Sequence, residues 1–172
     1  MESNELAVQQ RLASSLRLPT GFAPVLGAAM AVHLGTAALG IEQQTVGGLV
    51  LVAAGLGVFG LAAAWLLRRF RAVNGASVGG LRSRAVLGTS HASSAVYAAA
   101  FAAATWAAFE GPWWLVGLSA LVGGTAYAVC ALLWWRTYQG DPAAHARGES
   151  TLVLGLLGLA VVGGAVLLVL GH

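Results

Sequence analysis

Residues 46–71 read VGGLVLVAAGLGVFGLAAAWLLRRFR. From Val46 to Leu67 the chain carries no charge, and then Arg68, Arg69 and Arg71 arrive together. As a helix, that uncharged run is about 33 Å long, enough to cross the hydrocarbon core of a bilayer. The arginines that close it assign that end to the cytoplasm.

Four more apolar runs lie around it, at residues 21–41, 88–109, 113–135 and 151–170. Threaded alternately through a bilayer, they place all nine basic residues, every one an Arg, on the side of the N-terminus. The opposite side receives only Glu42 and Glu110. The pattern obeys the positive-inside rule throughout. The expectation is an all-α, multi-pass inner-membrane protein of bacterial type with five transmembrane helices. Its N-terminus is cytoplasmic and its C-terminus outside. Residues 1–20 form a cytoplasmic segment and 21–171 a single bundle.

Composition agrees. The chain is 58% hydrophobic and 9% charged, against roughly 25% charged for a soluble domain. The net charge of +3 does not point to nucleic acid, because the arginines cluster at the ends of runs rather than along one face. Arg68, Arg69, Arg71, Arg82 and Arg84 are expected to meet anionic lipid headgroups or a partner. The first run starts about twenty residues in, after Glu2 and Glu5, and its length suits a span better than a signal segment. A single cysteine, Cys130, excludes an internal disulfide. Ahead of the first run, Val8, Leu12 and Leu16 recur at four-residue steps, as in a short helix on the membrane surface.

Small residues recur every fourth position in two runs: Gly27, Ala31 and Gly35 in the first, and Ala120, Gly124 and Ala128 in the fourth. Such stripes let helix backbones approach closely. The third run holds ten alanines between Ala92 and Ala108. So thin a helix is expected at the centre of the bundle, with Ala99 and Ala103 too tightly packed to accept leucine. The fifth run is Leu- and Val-rich and is expected at the edge. An offset of 68 residues superposes Glu42 on Glu110, Gly55 on Gly123 and Arg68 on Arg136, a pattern of two helical hairpins in tandem.

His33 is the clearest candidate for chemistry. It lies roughly 13 Å along its helix from Glu42, inside the hydrocarbon. An ionisable group at that depth marks function or a hydrogen bond to another helix. Thr36 and Ser119 match its depth. Tyr97 and Tyr127 fall at one level in the inner half, with Ser94 and Thr125 nearby; such hydroxyls more often hydrogen-bond neighbouring helices, and the alternative is a polar pocket. The other histidine near a span, His91, differs from His33 in depth by roughly 15 Å, too far for the two to ligate one haem iron. No metal spacing, catalytic set or cofactor motif is present, and no Asp, Glu, Lys or Arg lies mid-span.

Three functions are compatible with this reading. The first is a non-enzymatic accessory, assembly or interaction subunit, self-associating or part of a larger membrane complex. The second is a small oligomeric transporter or channel with a polar path near His33, Ser119, Tyr97 and Tyr127. The third is a quinone-binding redox subunit or membrane enzyme.

Overall fold

A computed structural model describes residues 10–75 and 90–142. They include four long helices: α1 (Phe22–Gln43), α2 (Val46–Asn74), α3 (His91–Glu110) and α4 (Trp113–Gly140). Each is long and apolar enough to cross a membrane. The fifth apolar run, 151–170, lies outside the described residues, as do Arg82 and Arg84.

Local chemistry sets the helix ends. Gln44, with φ 49°, reverses the chain after α1. Thr45 then caps α2, its Oγ1 accepting from the Gly48 N–H at 3.2 Å. Gly75 closes α2 in the left-handed region, φ 67°, where a residue without Cβ costs nothing. Ser90 and Ser93 form a capping box at the start of α3, each hydroxyl accepting from the other's N–H, at 3.1 and 2.9 Å. α2 and α4 both outlast their apolar runs, because Arg68–Asn74 and Arg136–Gly140 contain no breaker until Gly75 and the Asp141-Pro142 pair.

Among the described residues, the centre of the bundle is α1. It packs against α2, α3 and α4, whereas α3 packs against α4 and α1. Eleven residues of α1 are buried, against five in α2 and three in α3. This corrects the expectation for the alanine-rich helix. Ala99 and Ala103 are exposed, and only Ala104 and Ala107 of its alanines are buried. Alanine is as cheap on an outer face as on an inner one, so its abundance did not say on which side a neighbour stood.

The two small-residue stripes pack on one another. A Cβ on Gly27 would stand 3.2 Å from the Gly124 carbonyl and 3.4 Å from Ala128 Cβ, and one on Gly35 would be 3.6 Å from Ala120 Cβ. α1 and α2 cross just as closely, with Gly40 against Gly48 and Gly55 against Thr36.

At the end of the bundle where α2 and α4 stop, the N-terminal segment lies across them as a strap. Residues 10–15 are helical. Asn74 Oδ1 accepts from the Arg17 N–H at 2.8 Å, and Asn74 Nδ2 donates to the Arg17 carbonyl at 2.9 Å. Gln139 Nε2 donates to the Leu16 carbonyl at 3.0 Å. Leu16 and Leu18 pack against Phe70 and Trp135. Val8 is outside the described residues. Leu12 and Leu16 do not share one face toward lipid: Leu12 is 62% exposed, while Leu16 turns inward against Phe70 and Trp135.

Candidate functional site

His33 projects from the middle of α1 into a cluster drawn from three other helices. It is buried. Its Nε2 is 3.1 Å from the Tyr97 hydroxyl of α3, and the two ring planes are 6° apart. Phe59 of α2 lies on another side, 6.1 Å between centroids. Phe101, one turn beyond Tyr97, extends the aromatic wall at 6.0 Å. Tyr127 of α4 is buried in the same core cluster that Tyr97 packs against.

Gly55 makes this approach possible. A Cβ there would collide with Thr36 Oγ1 and stand 3.3 Å from His33 Cα. Without one, α2 closes on α1 at the level of His33, and Phe59, one turn later, reaches its ring. Thr36 turns its hydroxyl back onto its own helix, to the Val32 and His33 carbonyls at 2.8 and 3.1 Å. It therefore offers nothing to the imidazole.

The imidazole is satisfied on one side only. Nδ1 is buried and has no hydrogen-bond partner among the described residues. A neutral imidazole has one N–H donor and one acceptor. If Tyr97 donates to Nε2, an N–H at Nδ1 is left unmade; in the other tautomer a lone pair is left instead. Leaving a buried polar atom unmatched costs about 1–3 kcal/mol. Thr105 Oγ1, two turns along α3 from Tyr97, is likewise buried without a partner among the described residues.

The other sequence candidates are dispersed. Ser94 and Ser119 are partly buried, and Thr125 faces outward from α4. His33 is bonded to Tyr97 rather than to Thr36 or Ser119. His91 opens α3 and is exposed. Among the described residues, no three His, Cys, Asp or Glu side chains gather as a metal site. Arg68, Arg69 and Arg71 are exposed at the end of α2, with the Arg69 guanidinium 5.1 Å over the Trp65 ring.

Comparison of the chain with protein-family models, curated proteins and solved structures gives no match.

Proposed function

We propose that this chain is an integral membrane protein that works by helix packing, as an accessory or assembly subunit associating with itself or with a larger membrane complex. The supporting observation is a contrast between outward faces. The exposed side of α4 carries Leu118, Leu121, Val122, Val129 and Leu133. That of α3 over residues 92–103 is built from Ala92, Ala95, Ala98, Ala99, Ala102 and Ala103, while α2 carries both kinds, with Ala53, Gly57, Gly60 and Ala64 among Leu49, Val50, Leu56, Val58 and Leu61. Large aliphatics fill lipid contacts, whereas small residues concentrate where another helix backbone comes close. A Cβ on Gly57 or Gly60 would meet nothing within 4 Å, so these glycines are not required by the packing of α1–α4.

The membrane setting has independent support. Trp106, Phe109, Trp113 and Trp114 are exposed near the α3–α4 turn. Trp65 is exposed near the opposite end, where Trp134, Trp135 and Tyr138 also lie. From Trp114 to Trp134 is about 30 Å of helix, the thickness of a hydrocarbon core between two aromatic belts. By the arginine distribution, the strap end is cytoplasmic and the Glu42–Glu110 end external.

Cross-linking tests the assignment. In a Cys130→Ser background, Gly57→Cys and Ala99→Cys should each give a disulfide-linked or reagent-linked species in native membranes. The species should be larger than one chain. Exclusively monomeric products at both positions would mean that lipid or the chain's own 151–170 run covers these faces, and the accessory reading would fall.

The unmatched His33 Nδ1 favours a second reading, a polar path or ligand site through His33 and Tyr97. His33→Gln keeps a donor and an acceptor but does not titrate near neutrality. On the packing reading, His33→Gln keeps stability and association, and His33→Leu loses about 0.6–2 kcal/mol, the scale of interhelical hydrogen bonds in membranes. If both variants fold normally yet lose a co-purifying small molecule, the second reading replaces the first.

A further inference from the structure

Three arginines are brought to one corner of the strap end by contacts that do not involve their charges. Phe70 and Trp135 meet edge to face, 5.7 Å between centroids, joining the ends of α2 and α4. Arg71 and Arg136 are the next residues on those helices. The strap supplies the third. Arg17 is bonded through its own N–H and C=O to Asn74, and Leu16 beside it accepts from Gln139. Asn74 and Gln139 each lie three residues beyond Arg71 and Arg136, a spacing that shares a helix face. The backbone of Leu16 and Arg17 is thus clamped between Asn74 and Gln139, beside the helix ends that carry Arg71 and Arg136.

All three arginines are exposed. None has a hydrogen bond or ion pair from its guanidinium to any described residue. Like charges gathered at one corner repel unless an anion joins them. The corner also lies at the level of Trp134, Trp135 and Tyr138, the ring types that mark the headgroup layer. Guanidinium forks match phosphate oxygens.

We infer that Arg17, Arg71 and Arg136 form a binding site for the phosphate of an anionic phospholipid, with Asn74 as the residue that positions Arg17. This rests on the membrane reading above but not on any protein partner. Arg69, turned over Trp65, is outside the site.

The test uses the full chain in an uncharged detergent, titrated with phosphatidylglycerol, cardiolipin, phosphatidylcholine or inorganic phosphate while thermal unfolding is followed. The two anionic lipids should raise the unfolding temperature and phosphatidylcholine should not. Arg17→Gln, Arg71→Gln and Arg136→Gln should each weaken the apparent affinity by about fivefold, the scale of one basic residue at an anionic surface. Arg69→Gln, which removes the same charge, should leave affinity unchanged. Asn74→Ala should weaken binding with every arginine retained. Equal losses from all four arginine variants would reduce the effect to diffuse charge and overturn the site. Stabilisation by inorganic phosphate matching that by lipid would overturn the lipid assignment, as would the absence of any lipid effect. Recovery of the chain in the membrane fraction checks the membrane reading separately.

Discussion

Leucine at Gly124 is expected to destabilise the bundle by about 3 kcal/mol, the upper end of the usual range for overpacking. The reason is what a side chain would strike. A Cβ at this position collides with the Gly27 carbonyl oxygen and stands 2.8 Å from the Ala31 nitrogen. Both obstacles are backbone atoms of α1, so no rotamer change clears them. The central helix would have to withdraw along the seam that Gly27, Ala31, Ala120 and Ala128 also line. Gly48→Leu should behave in the same way, because its Cβ meets the Gly40 carbonyl oxygen. Gly57→Ala and Gly60→Ala are the controls. Each has open space, and exchanging glycine for alanine in a helix interior gains up to about 1 kcal/mol. Thermal unfolding of the four variants in one detergent decides the matter. A Gly124→Leu protein as stable as the parent would show that the α1–α4 seam is not as close as described.

That seam is the part of the fold most legible in the sequence. Two four-residue stripes of small residues have few uses other than close approach, and they lie on one another. Four of the helices could be read from apolar length alone. The order of packing could not. Ten alanines made α3 look central, yet among the described residues α1, with His33, Met30, Phe22, Leu26 and Leu34 in its buried set, holds that place. Side-chain size records how near a neighbour comes, and not whether a neighbour is there.

The candidate site was half legible. His33 stood out by its depth, but its partner was sought at equal backbone depth, among Thr36 and Ser119. Side chains on a helix lean toward its N-terminus. α1 begins at the strap end, so the imidazole reaches back toward that end, where the long Tyr97 side chain meets it. Thr36 was lost as a partner for another reason, because its hydroxyl returns to its own helix. The strap had no sequence signal. Asn74 and Gln139 bond it through backbone groups of Leu16 and Arg17, and a backbone N–H or C=O looks alike at every position.

The strap leads to the second large effect. Phe70→Ala should cost about 3–5 kcal/mol, the range for removing a fully buried aromatic ring. Phe70 has no exposed surface. It holds Trp135 edge to face, supports Leu16 and Leu18, and its carbonyl accepts from Asn74 Nδ2 at 2.9 Å. One truncation therefore removes the contact between α2 and α4 and the floor on which the strap lies. The loss should show in two places. Thermal unfolding will move down, and trypsin will cut after Arg17, a bond shielded in the parent while Arg17 is clamped to Asn74. Asn74→Ala separates the two effects. It deletes three hydrogen bonds, worth about 1 kcal/mol each at most sites, but leaves the rings in contact. It should expose Arg17 to trypsin with a smaller loss of stability than Phe70→Ala. If Phe70→Ala unfolds like the parent and Arg17 stays protected, the strap is held by something other than the Phe70–Trp135 pair. The convergence of Arg17, Arg71 and Arg136 would then lose its scaffold.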